Sequence, residues 1–131
     1  MLHKELTEKI IQAFFAVNNI LGYGFLEKVY ENAMIIELNK LGLKVVKQKN
    51  IKVYYKGQIV GDYYADLLVE DKVIVELKSA EILSREHEAQ LLNYLKATNI
   101  KVGLVLNFGK KAEFRRKVFS NPRNYNPRKS V

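Results

Sequence analysis

Helical periodicity over residues 5–41, a switch to period two from Val45 onward, and a further helix followed by a short apolar run predict a mixed α/β (α+β) fold. The expected architecture is a mixed four-stranded sheet in the order ααβββαβ, with helices packed on it and room for a short extra edge strand. At 131 residues the chain fits one domain, expected over 1–120, with a basic tail over 121–131. A chain of this length buries roughly 65–70% of the surface that its unfolded form exposes.

The first helix is expected over 5–21, where Ile10, Ile11, Phe14, Phe15, Val17, Ile20 and Leu21 form a stripe and Thr7 lies near the start. Gly22-Tyr23-Gly24 interrupts it. A second helix over 26–41 carries Leu26, Tyr30, Ala33, Met34, Leu38 and Leu41 on its apolar face, widened by Val29, Ile35 and Ile36, and Gly42 suits its C-terminal end. Residues 45–48 and 51–55 alternate as one extended, lightly bulged strand, Lys56-Gly57-Gln58 reads as a hairpin turn, and 59–70 form the returning strand. Glu70-Asp71-Lys72 is the next turn and 73–78 the third strand, which completes an antiparallel meander. Ser84 is placed to cap a third helix over 84–98 that buries Leu91, Leu92 and Leu95. The run 101–107 follows that helix, and a crossover through it makes the fourth strand parallel to the third. Residues 114–119 are the candidate for the extra edge strand.

Composition narrows the classes of function. Hydrophobic residues make up 48% of the chain, with seven glycines and two prolines, so it is neither disordered nor repetitive. Cysteine is absent, which removes disulfides and thiolate metal sites. The apolar runs are too short to span a membrane and the N-terminus is charged, so a cytoplasmic protein without a membrane partner is expected. Self-association is left open. No Gly-rich phosphate loop, nucleophile elbow or zinc spacing occurs, and kinase, triad-hydrolase and zinc-hydrolase classes have no support. The net charge of +8 is concentrated in residues 110–131, which hold eight basic residues and one acid, Glu113. Lys110, Lys111, Arg115, Arg116 and Lys117 are the candidate contacts to nucleic acid; a solvated tail that aids solubility is the alternative. Phe114, Phe119 and Tyr125 suit stacking on bases, but the two phenylalanines suit the core better.

Chemistry concentrates in Val73-Ile74-Val75-Glu76-Leu77-Lys78, where a carboxylate and an ammonium lie two apart, on one face of an otherwise apolar strand. An ionised group buried there without a partner costs several kcal/mol, so a cation or a substrate is expected to compensate it. Spacing alone decides little, because a second Glu-x-Lys triplet, Glu70-Asp71-Lys72, falls in a polar turn. An edge strand with a surface ion pair would explain Glu76 and Lys78 equally well. Asp66 tips the balance, since Asp disfavours strands and here interrupts the run Tyr63-Tyr64-Ala65-Asp66-Leu67-Leu68-Val69. Carboxylates on strands about 4.8 Å apart can meet at one hard cation, and without Cys their oxygens suit Mg²⁺ better than Zn²⁺. Two acids and a lysine are a minimal kit for holding such a cation beside a phosphodiester.

Asp66, followed by Glu76-x-Lys78 on the next strand, resembles the catalytic signature of the PD-(D/E)XK nuclease superfamily, with Ala65 where the name has proline. Gly24-Phe25-Leu26-Glu27-Lys28-Val29-Tyr30 is similar to the G-x-x-E-x-x-Y signature of one small family within it. Gln90-Leu91-Leu92-Asn93-Tyr94 resembles the Q-x-x-x-Y motif of its exonuclease branch, and the resemblance spans about 5–110. It implies a restriction-endonuclease-like core. It implies Asp66 and Glu76 as metal ligands with the Leu77 carbonyl as a third, Lys78 as catalytic lysine, and Glu27 as a further ligand or one acting through water. Gln90 and Tyr94, one helical turn apart, would line the site. The implied activity is phosphodiester hydrolysis in nucleic acid, DNA foremost, with Mg²⁺ or Mn²⁺ as cofactor. The alternative from another class is a catalytically silent nuclease-like module that binds nucleic acid or protein. Glu27 also reads as a first-turn acid favoured by the helix dipole, Tyr30 as packing, and His87 as a solvated residue or a minor candidate ligand.

Overall fold

Two helices precede the sheet in the computed structural model, which describes residues 1–120. The basic tail over 121–131, with Arg123, Tyr125, Arg128 and Lys129, lies outside the described residues. Helices α1 (Lys4–Leu21) and α2 (Glu27–Lys40) are followed by strands β1 (Val45–Tyr55), β2 (Gln58–Val69) and β3 (Val73–Lys78). Helix α3 (Arg85–Lys96) then leads to β4 (Val102–Phe108) and β5 (Ala112–Val118). The expected four-stranded sheet in fact has five strands, in spatial order β1-β2-β3-β4-β5, so the chain reads ααβββαββ. All neighbours are antiparallel except β3 and β4, which run parallel from Val73↔Val102 to Lys78↔Asn107. β5 is a full strand because its faces find different partners: Phe114 meets Phe15 of α1, while Arg115 and Lys117 reach Glu88 of α3.

The sheet is covered on both faces. On one, Ile10, Phe14 and Val17 of α1 and Tyr30, Met34 and Leu38 of α2 pack on Leu67, Val75, Leu104 and Leu106. On the other, Leu91, Tyr94 and Leu95 of α3 pack on Ile51, Ala65, Ile74 and Val105. Sandwiching β3 and β4 this way explains why both read as almost unbroken apolar runs. The apolar face expected for α2 was too wide: Leu26 is 80% exposed, and Ile36 and Leu41 are exposed as well. α1 likewise leaves Phe15 and Ile20 exposed.

β1 and β2 form a long hairpin that outreaches the sheet, since β2 pairs with β3 only over Leu67↔Val75 to Val69↔Val73. A local break re-aims the hairpin's side chains. Leu67 packs toward α1 and α2, yet Ala65, two residues earlier, packs toward α3. Opposite Asp66, between the pairs Lys47↔Leu67 and Lys49↔Ala65, Gln48 adopts a left-handed backbone with φ 53°. A non-glycine residue held there costs about 1–3 kcal/mol, and distortions of this kind commonly redirect a side chain beside a functional site.

Candidate active site

Asp66 and Glu76 occupy the first rung beyond the last β2–β3 pair, where the two strands part. Separation frees the Leu77 N–H from the ladder, and the Asp66 carboxylate accepts it with Oδ2 at 2.8 Å. Glu76 is 5% exposed in the middle strand of the five, which removes the edge-strand explanation. Burial, reinforced by a hydrogen bond to Asp66 and by its charge, pushes the Glu76 carboxyl up to about 9; the nearby Lys78 ammonium opposes the shift. At neutral pH Glu76 therefore keeps its proton and donates it to Asp66. A buried acid beside a half-buried one forms a site where a divalent cation can replace the Glu76 proton, and their hard oxygens suit Mg²⁺ or Mn²⁺.

Glu27 approaches from the first turn of α2, where its Oε2 accepts the Ser79 N–H at 3.3 Å, one residue past Lys78. It stands beside the acid pair rather than inside it, since among the described residues no three His, Asp or Glu side chains converge on one point. Tyr30, three residues on, is wholly buried. Its ring stacks on Phe108 at 4.2 Å, and its hydroxyl donates to the Gly22 carbonyl at 2.7 Å while accepting the Phe25 N–H at 3.2 Å. It thereby clamps the loop that launches Glu27.

α3 brings Gln90 and Tyr94 to the same end of the sheet. Burial, together with the charges of Glu76 and Asp66, pushes the Tyr94 phenol up to about 12, so it keeps its proton at any physiological pH. Gln90 Nε2 donates to that hydroxyl at 3.0 Å, which leaves the Tyr94 proton free to be donated onward. His87 serves the helix itself: its Nδ1 accepts the Ser84 N–H at 3.2 Å while Ser84 Oγ accepts the His87 N–H, closing a reciprocal cap.

Two supports had not been singled out among the sequence candidates. Asn107, fully buried on β4 beside Lys78, grips the Ala80 backbone with both amide atoms: Oδ1 accepts the N–H at 2.9 Å and Nδ2 donates to the carbonyl at 3.0 Å. Gly109 is part of that grip, because a Cβ there would lie 2.4 Å from the Ala80 oxygen. Glu31, buried one turn after Glu27, accepts from Lys28 Nζ at 2.6 Å and from Gln48 Nε2 at 2.7 Å, which ties α2 to the distorted point of β1. The signal for Asn107 was a polar residue inside Val102-Gly103-Leu104-Val105-Leu106-Asn107-Phe108, the same kind of interruption that exposed Glu76. Gln48 carried no comparable signal.

The five cations proposed for nucleic acid are dispersed. Lys110 and Lys111 are exposed in the turn after β4, at the end of the sheet where β3 reaches Lys78. Arg115 and Lys117 are paired with Glu88, and Arg116 donates to the Leu2 carbonyl while its buried Nε finds no partner among the described residues.

A sequence profile of the PD-(D/E)XK nuclease superfamily matches residues 4–117. Among solved structures, the crystal structure of SSO0001 is similar with a TM-score of 0.57 at 16% identity, covering 91% of this chain and 60% of that one. An alkaline exonuclease (LHK-Exo) from Laribacter hongkongensis is similar with a TM-score of 0.53 at 14% identity, covering 71% of this chain and 56% of that one. The chain thus spans less than two thirds of either structure, and at these identities the likeness is one of fold. No curated protein sequence matches the chain. No helix among the described residues is long and apolar enough to cross a membrane.

Proposed function

The chain belongs to the PD-(D/E)XK nuclease superfamily, and from that premise we propose that it hydrolyses phosphodiester bonds in nucleic acid, DNA foremost, with Mg²⁺ or Mn²⁺. Within the superfamily, Gly24, Glu27 and Tyr30 favour the GxxExxY family. One observation carries the reading: the half-buried Asp66 and the buried Glu76 face each other at the point where β2 leaves β3, with the Asp66 carboxylate accepting the freed Leu77 N–H. Asp66, Glu76 and the Leu77 carbonyl are the groups that would hold the cation, with Glu27 acting through water. A divalent ion bound there supplies Lewis acidity and neutralises charge on the phosphate.

The remaining steps belong to the protein. Lys78, on the same face of β3 as Glu76, offers its ammonium to a phosphate oxygen as negative charge grows. Tyr94, protonated and oriented by Gln90, is a second donor on the opposite wall. Asp66 and Glu27 hold the main-chain N–H groups of Leu77 and Ser79, and so fix the backbone on both sides of Lys78. Preorganised donors of this kind lower the barrier without having to reorganise during reaction.

The test is cleavage of single-stranded DNA, duplex DNA and RNA by the purified protein with Mg²⁺ or Mn²⁺. Cutting that disappears in Glu76→Ala and Lys78→Ala is expected. If no substrate is cut, or if both variants cut as the wild type does, the reading fails.

A further inference from the structure

The projecting part of the hairpin and α3 enclose a groove of about 770 Å³, within the range of small-ligand sites. Val53, Tyr54 and Tyr63 form one wall and Gln90, Asn93 and Tyr94 the other. Gln90 and Tyr94 therefore belong both to this groove and to the candidate active site, which makes the two continuous. Its polar lining is mostly uncharged: three phenol rings, two neutral amides and the His87 imidazole, whose Nδ1 is engaged in the α3 cap, with one acid, Glu86, and one base, Lys96. Such a lining suits a flat, uncharged ligand with hydrogen-bonding edges. It does not suit a phosphate, for which Lys78 stands next door.

Tyr63 is held ready. It is 48% exposed, whereas Tyr94, 6.0 Å away and inclined at 44°, is 6% exposed. Its ring lies across Gly61, where an added Cβ would come within 2.9 Å of Cε2. Glycine at that position leaves the strand surface clear for the ring, while Tyr94 supports the ring from the helix side. An aromatic with its position set and half its surface open is what base stacking requires.

We propose that this groove is a nucleobase subsite, and that nucleic acid reaches the acid pair with the neighbouring nucleotide unpaired and its base against Tyr63. This inference rests on the nuclease reading for its substrate, but it makes a separate demand: the enzyme must prefer single strands or unpaired ends to intact duplex. Every base has a π-face, so stacking selects strandedness rather than sequence. The amides of Gln90 and Asn93 can meet the base edges that pairing would otherwise hide.

The experiment measures binding without catalysis. Short DNA and RNA oligonucleotides containing 2-aminopurine, single-stranded or as blunt duplexes, are titrated with the full chain in EDTA, following anisotropy and 2-aminopurine emission. Single strands are expected to bind more tightly, with emission changing on binding. Tyr63→Ala should weaken single-strand binding by about tenfold and abolish the emission change. Tyr63→Phe should retain both, and Gly61→Ala, which displaces the ring, should lose part of each. Far-UV circular dichroism checks that each variant is folded. Equal affinity for duplex and single strand, with no effect of Tyr63→Ala or Gly61→Ala, overturns the subsite. Failure of every oligonucleotide to bind overturns it as well. Cleavage of the same oligonucleotides in Mn²⁺ judges the nuclease reading independently: base stacking without cleavage leaves the groove and removes the nuclease, and Glu76-dependent cleavage without stacking does the reverse.

Discussion

Glu70-Asp71-Lys72 and Glu76-Leu77-Lys78 have the same spacing and lie six residues apart, yet they meet opposite surroundings. In the first, Glu70 and Asp71 make a turn in left-handed backbone (φ 53° and 56°). Glu70 accepts the Lys44 N–H at 2.6 Å, and Asp71 faces the Lys44 ammonium at 3.0 Å in solvent. In the second, Glu76 has almost no water and is hydrogen-bonded to another acid, Asp66. Three residues of apolar strand on one side, Val73 to Val75, and a parting of strands on the other make the difference. A carboxylate becomes chemically useful here through what fails to solvate it.

The largest expected contrast is in activity. Glu76→Gln should reduce cleavage by more than the roughly 10–100-fold that losing an outer partner of a metal costs, and Glu70→Gln should leave it unchanged. Rates on one oligonucleotide with Mn²⁺ read both, and equal losses would erase the distinction between the triplets.

A second contrast concerns pH and the metal-free protein. Unfolded, Glu76 releases its proton near 4.5; folded, near 9. Between those values the folded state binds more protons, so this contribution to stability is complete below about 4.5 and is lost as pH rises through about 9. The melting temperature in EDTA should fall across that window, Glu76→Gln should flatten the fall, and Glu70→Gln should not. Added Mn²⁺ should restore stability on the alkaline side, because an ion that binds only the folded state stabilises it.

Smaller effects follow in the supports. Asn107→Ala leaves the half-buried Ala80 backbone without its side-chain partner and should cost about 1–3 kcal/mol in urea denaturation, with a loss of cleavage beyond what instability explains. Lys44→Ala, which removes the exposed partner of Asp71, should cost about 0–1 kcal/mol and leave cleavage alone.

The parts of the site legible in the sequence were those that break a pattern. Asp66 and Glu76 interrupt apolar strands, and a polar residue in such a place needs a reason. Asn107 interrupts one too, but its reason is the parallel register that sets it beside Lys78, and register is a property of two strands brought together by α3. Glu31 breaks no pattern in its helix, and the partner that meets its buried carboxylate, Gln48, comes from the left-handed point of β1, 17 residues on. β5 is hard to read because Arg115, Arg116 and Lys117 also suit a solvated tail, whereas their partners lie elsewhere in the chain: Glu88 of α3 for Arg115 and Lys117, and the Leu2 carbonyl ahead of α1 for Arg116. Local periodicity reports which face a residue takes; it is silent on what waits there.

The stack of Tyr30 on Phe108 sets a clock on the protein's making. During synthesis, α2 emerges long before β4, and the loop carrying Glu27 has no clamp for its tyrosine until Phe108 is available. The grip of Asn107 on Ala80 arrives with the same strand. Contacts this distant in sequence form late, after the entropy of closing the chain between them has been met. A chain made only as far as β3 thus already carries Asp66, Glu76 and Lys78 but lacks the frame that aims them, and the site is assembled only once β4 is in place.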